Sequence, residues 1–148
     1  MLFRSDNLTY ESLIRASYCY DKQGTRDNSC KSLLTQALCI LPQRPEAYFL
    51  LSRFCERRCQ WMEAYTFACQ GLDFASFEHS DLITDVEYPG KYGLIYEKAL
   101  SGWWWGKSEE CAELFNELLT SYNLDRYHYE KCQEHIRSFN IEIFEKKN

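Results

Sequence analysis

This sequence is poor in the residues that break regular structure. It has 6 Gly and 3 Pro in 148 positions, with 45% hydrophobic residues. Such a composition argues against a disordered chain or a low-complexity linker. Histidine is also scarce, at 3 residues, which leaves little acid–base machinery. No Cys-x-x-Cys or His-Glu-x-x-His pattern occurs, and no Ser-His-Asp or Cys-His arrangement emerges from the residue order. Long apolar runs are missing too. The uncharged stretch from Ser32 to Gln43 is 12 residues, too short to cross a bilayer, so no membrane insertion is expected. The stretch from Met1 to Tyr10 carries Arg4 and Asp6 and lacks the apolar core of an export signal. A cytoplasmic location and reduced thiols are the corresponding expectations. Basic charge is in deficit, 17 Lys+Arg against 22 Asp+Glu for a net −5, which argues against a nucleic-acid surface.

What the chain has in quantity is aromatic side chains and cysteine: 9 Phe, 11 Tyr, 4 Trp and 8 Cys. Its apolar residues recur with helical spacing almost throughout, and no useful strand alternation or hairpin signal appears. The pattern predicts an all-α chain. A first helix is expected from Leu8 to Lys22, stopped by Gly24. A second follows, capped by Thr25 or Asp27 and running through Leu41. The break at Pro42-Gln43-Arg44-Pro45 leads into a third helix ending near Arg58, with Pro45 in its first turn. A fourth is expected from Trp61 to Phe74. From Phe74 to Gly90 the segment holds Glu78, Asp81, Asp85 and Glu87 without a Lys or Arg. It reads as a solvated connector with a short helical turn around Leu82. Three further helices are expected: Lys91 to Trp105, Ser108 (as cap) to Tyr122, and Asp125 to about Glu145.

The helices pair, and the pairs repeat. Residues Pro45 to Ser76 resemble a tetratricopeptide repeat, through Tyr48, Leu51, Ser52, Cys55, Trp61, Ala64, Ala68, Gly71 and Leu72. A second copy lies about 34 residues earlier, with Leu13, Ala16, Ser17 and Tyr20 in matching positions. A third, with Ala99, Gly106, Cys111 and Leu118-Leu119, departs at Lys98 and is displaced by the acidic insert. The resemblance implies one domain over residues 1–148. It holds repeats at about 10–44, 45–78 and 92–122, an acidic insert at 78–90 and a capping helix at 125–145. The expected architecture is antiparallel helix pairs in a right-handed superhelix. A narrower resemblance is to helical-repeat segments attached to bacterial glycosyltransferases. It is carried by Pro42-Gln43-Arg44-Pro45-Glu46-Ala47-Tyr48, Tyr92 to Glu97, Trp103-Trp104 and Gly106, and implies a glycan-assembly setting. No nucleotide-binding strand pattern or Asp-x-Asp accompanies it.

The tetratricopeptide resemblance implies a peptide groove lined by first helices of each pair. Its positions here are Glu11, Ile14, Tyr18 and Asp21; then Glu46, Phe49, Arg53 and Arg57; then Tyr96, Leu100, Trp103 and Trp104. Ile14, Phe49 and Tyr96 stand where carboxylate-gripping versions need Lys or Asn. The groove therefore suits an apolar or aromatic segment carrying an acid that meets Arg53 and Arg57, unless the insert or last helix covers it. Trp103, Trp104 and Trp105 span about 200° of a helix, so they do not share one core face. They suit a partner hot spot, a sugar ring or contact with the last helix. Cys55, Cys59 and Cys69, with His79, form the best metal set, set against their repeat-core positions. His128 and His135, seven apart, share a face with Glu130 and Glu134 nearby; solvated charge is the simpler reading. The expected role is a non-catalytic protein- or peptide-binding scaffold without cofactor or metal. A self-associating (homodimeric) structural protein, or a carbohydrate-binding or catalytic aromatic groove, are the alternatives.

Overall fold

The structure is a computed structural model that describes residues 2–142, with side chains described from residue 6. Among the described residues it is all-helical, with no strand. The helices are α1 (Leu2–Gln23), α2 (Asp27–Ile40), α3 (Glu46–Arg57), α4 (Trp61–Phe74), α5 (Lys91–Trp104), α6 (Ser108–Ser121) and α7 (Arg126–Ser138). The helix spans follow the expected ones closely, except that α1 starts six residues before Leu8 and α7 stops at Ser138. Of the stretch expected to continue to Glu145, residues 143–145 lie outside the described residues.

The caps differ from expectation for local reasons. Gly24 takes the left-handed conformation, φ 71°, and ends α1. Neither Thr25 nor Asp27 caps α2; Arg26 holds that place without a side-chain bond. Asp27 is instead taken by the Arg58 guanidinium, which donates to both its oxygens at 2.9 Å and to Asp21 at 3.1 Å. Ser108 is the first residue of α6, not its cap. Asp125 does cap α7, accepting from the His128 N–H at 2.8 Å.

Each helix packs on the next in the chain, and α3 also packs on α5, and α5 on α7. Helices α3 and α5 are therefore interior. Residues 46–52 of α3 and 93–97 of α5 are buried in unbroken runs, the mark of a helix covered on every side. One core joins α1 to α4 with Val86 and Leu94; a second joins α5, α6 and α7; Leu72 touches both.

Small residues set how closely these layers approach. A Cβ on Gly71 of α4 would lie 2.7 Å from Tyr48 Cβ and 3.0 Å from Leu94 Cδ2. Only a glycine lets α4 seat against α3 and α5 together.

The segment between α4 and α5 contains no helical turn at Leu82 and is not a free connector. Its backbone is held along α1 and α3. Arg44 donates to the Ser80 carbonyl (2.9 Å), Glu11 accepts from the Ile83 N–H (2.6 Å), and Tyr18 donates to the Val86 carbonyl (2.7 Å). Val86 itself is 4% exposed, inside the first core. The four acids stay outward, Glu87 meeting Arg53, while Leu82, Val86 and Tyr88 are drawn in and Ile83 stays exposed.

In an exposed helix Gly→Ala adds about 0.5–1 kcal/mol of stability. At Gly71 the added methyl meets backbone-proximal carbon, so Gly71→Ala is expected to cost roughly 1–3 kcal/mol. Urea unfolding measures the difference, and a stabilised variant would contradict this packing.

Candidate functional site

The segment across α1 and α3 covers much of the groove line expected from the sequence. Ile14 is fully buried. Phe49, 2% exposed, meets Tyr88 of the segment edge to face at 5.7 Å. Tyr18 is tied to Val86, and its hydroxyl also accepts from Arg53 at 3.2 Å. Burial, ahead of the nearby charges, pushes the Tyr18 phenol up to about 12. Arg53 forms an ion pair with Glu87 at 3.1 Å and lies over the Phe49 ring. The segment thus places its own valine, acid and aromatic ring on these residues.

The three tryptophans diverge as their angular spacing demands. Trp103 stacks on Phe139 just beyond α7 (4.4 Å), Trp104 on Trp61 of α4 (5.8 Å), and Trp105 tilts onto Tyr65 (5.3 Å). Trp104 and Trp105 keep 55% and 41% of their surface exposed. None of the three lines the cleft that Phe49 and Arg53 share. Of the other expected groove residues, those of α3 and α5 other than Glu46 converge, while Ile14 and Tyr18 of α1 do not reach the same cleft.

Phe49, Arg53 and Arg57 of α3 and Tyr96 of α5 line one open cleft of about 290 Å³ between α3, α5 and α7. Its further walls are Glu56, Glu97, Leu100, Tyr127, His128, Lys131 and His135, with Glu87 of the segment at one side. The two histidines of α7 share this face as their spacing implies. His135 Nε2 pairs with the Tyr96 hydroxyl at 3.0 Å. Burial holds His135 below its ordinary range and, ahead of the Glu97 charge, holds the Tyr96 phenol well above its own. Both groups are therefore neutral at pH 7. His128 Nδ1 meets Asp125 at 2.8 Å, which orients that ring.

Glu97 is the unusual member. It is 3% exposed, and its Oε2 has no hydrogen-bond partner. Burial, then the Glu56 charge across the cleft, pushes its carboxyl up to about 8. Glu56 is also raised, mainly by burial, against the Arg57 and Arg53 charges. Sequence reasoning did not single out Glu56, Glu97, Tyr127 or Lys131 as site residues. The one local signal for Glu97 is an acid set in the otherwise apolar Leu94-Ile95-Tyr96 and Ala99-Leu100 run of an interior helix.

Elsewhere the chemistry is quiet. Cys55 is buried, Cys59 exposed and Cys69 half-buried, and all eight cysteines are free thiols. Burial pushes Cys30 and Cys55 up to about 11, and Cys111 and Cys132 to about 12, away from the reactive thiolate. No group of three or more His, Cys, Asp or Glu among the described residues is placed to hold a metal ion. A recess of about 580 Å³ lies between the acidic segment and the start of α3, beside Arg44, Glu46, Asp81 and Tyr88. Its charged floor is already satisfied by the Arg44–Glu46 pair. No helix among the described residues is long and apolar enough to cross a membrane. Comparison of the chain with known protein families, with curated proteins and with solved structures finds no match.

Two outcomes test this site. Folded Glu97 keeps its proton up to about pH 8, whereas the unfolded chain loses it in the ordinary carboxylate range. Its contribution to stability is thus present at low pH and lost as pH rises toward 8. The Glu97→Gln variant has no charge to bury. It is expected to gain on the wild type by up to about 1.4 kcal/mol per pH unit across that window. Urea unfolding at several pH values reads the gain; a pH-independent difference contradicts the burial argument. Tyr18→Phe removes the donor to Val86 and is expected to cost roughly 1 kcal/mol. It should also speed protease cleavage within residues 78–88, and an unchanged cleavage rate would show that this bond does not hold the segment.

Proposed function

We propose that this chain is a tetratricopeptide-like module, a right-handed superhelix of antiparallel helix pairs that acts by binding a partner segment and not by catalysis. The observation that carries the reading is the acidic segment itself. Along α1 and α3 an extended stretch is gripped through its carbonyls, one N–H, a buried valine and an acid on Arg53. A docked extended peptide is held in this manner, with backbone bonds supplying affinity and side-chain pockets selectivity. Beyond Glu87 the same side of α3 opens into the unfilled cleft with α5 and α7. A partner segment continues the path of the internal one and lays apolar or aromatic residues against Leu100, Tyr96 and Tyr127. The phrase around Arg44 and the Tyr92 to Glu97 helix support a place beside glycan-assembly enzymes, as an accessory scaffold.

Panning a random peptide display against the full chain tests the binding role. Peptides sharing a motif are expected to be enriched, and to bind at least tenfold more weakly to Tyr127→Ala. Tyr127 is 60% exposed, so its truncation leaves the core intact. No enriched motif, or peptides indifferent to this change, would sink the reading.

A further inference from the structure

The partner chemistry follows from which charges in the cleft already have an opposite. The acid that Arg53 calls for is supplied internally, by Glu87 at 3.1 Å. Arg57 is exposed, and it is the leading opposite charge acting on Glu56. From α7, Lys131 is paired with Glu134 at 2.9 Å, His128 with Asp125, and His135 with the Tyr96 hydroxyl. Arg53 and Arg57 act on Glu97 as well, but no donor reaches its Oε2. The Glu97 side chain is buried and lines the cleft.

We propose that the cleft binds a basic side chain of the partner segment, the ammonium of lysine or the guanidinium of arginine, against Glu97. This rests on the interaction reading above and names the residue that reading leaves open. The argument has three parts. A buried carboxyl with an unused oxygen is held at a cost that an incoming donor removes. A cationic donor removes more of it than an amide or hydroxyl, because charge-assisted bonds to a carboxylate are shorter and about twice as strong. The cation stabilises the ionised form, so the proton that burial keeps on Glu97 is released to solvent as the pair forms. One wall suits the same group: the ring of Tyr127, 60% exposed, borders the space and can take a cation over its face. At long range the chain's net −5 favours approach of a basic segment.

The test titrates the full chain with capped tripeptides and follows backbone amide chemical shifts. Acetyl-Leu-Lys-Leu-amide is compared with the same peptide acetylated on the lysine Nε, and with acetyl-Leu-Glu-Leu-amide. The lysine peptide is expected to shift the amides around Glu97 and His135 saturably, and to bind at least tenfold more tightly than either control. Its affinity should fall at least tenfold in Glu97→Gln, which has no charge to offer. Equal affinity for the three peptides, or a Glu97→Gln variant that binds as well as wild type, overturns the proposal. If the lysine peptide does not bind while panned peptides still bind in a Tyr127-dependent way, this inference falls and the interaction reading stands. If panned peptides fail as well, that reading falls with it.

Discussion

The molecule is organised around a buried ion pair at the entry to α3. Arg44 lies against Glu46 through two hydrogen bonds, 2.9 and 3.2 Å, with each side chain 7% exposed. Removing one partner of such a pair strands a charge and costs about 3–5 kcal/mol. The pair reaches beyond itself. Tyr10 of α1 donates to Glu46 and accepts from the Ala47 N–H at 2.9 Å, and Arg44 also donates to the Ser80 carbonyl. One ion pair thereby joins the first helix, the start of the central helix and the acidic segment. Glu46 stands in the first turn of α3, where a carboxylate also suits the helix dipole.

The site depends on that junction. With Ser80 held, the segment runs along α1 and α3 and brings Val86, Glu87 and Tyr88 onto Tyr18, Arg53 and Phe49. It covers Tyr18, Phe49 and Arg53 and stops there. What stays open is bounded by α5 and α7, and its character is set by the buried Glu97 and the histidines of α7. The chain has used one of its own acids, Glu87, on Arg53, while Arg57 stays exposed.

How much of this could be read from the residue order differs by element. The helices were legible: apolar spacing and the Gly24, Pro42 and Pro45 breaks locate α2 to α6 to within a residue or two. Arg44 and Glu46 were visible as part of a phrase, but their two-residue spacing did not announce a bidentate buried pair. The acids of the segment are exposed, as their charge pattern suggests, but its docking on α1 and α3 was not legible. That docking rests on contacts at Ser80, Ile83 and Val86, which form no helical or strand pattern. Within the cleft, Phe49, Arg53, Arg57 and Tyr96 stand at positions that the tetratricopeptide resemblance implies. Glu97 does not, since an acid beside a tyrosine on a helix is ordinarily on a wet face.

The sequence by itself determined that this is an all-helical chain with its breaks in these places, because helical periodicity and turn chemistry act over a few residues. It also determined that Trp103, Trp104 and Trp105 do not share one face, a consequence of 100° per residue. Only the tertiary structure decided which groove residues remain free, which tryptophan meets which neighbour, and which carboxyl is left without a partner. Those outcomes turn on contacts between residues 30 to 70 positions apart, Tyr10 with Glu46 and Tyr18 with Val86 among them. No local pattern carries the desolvation that such distant partners impose on Glu97.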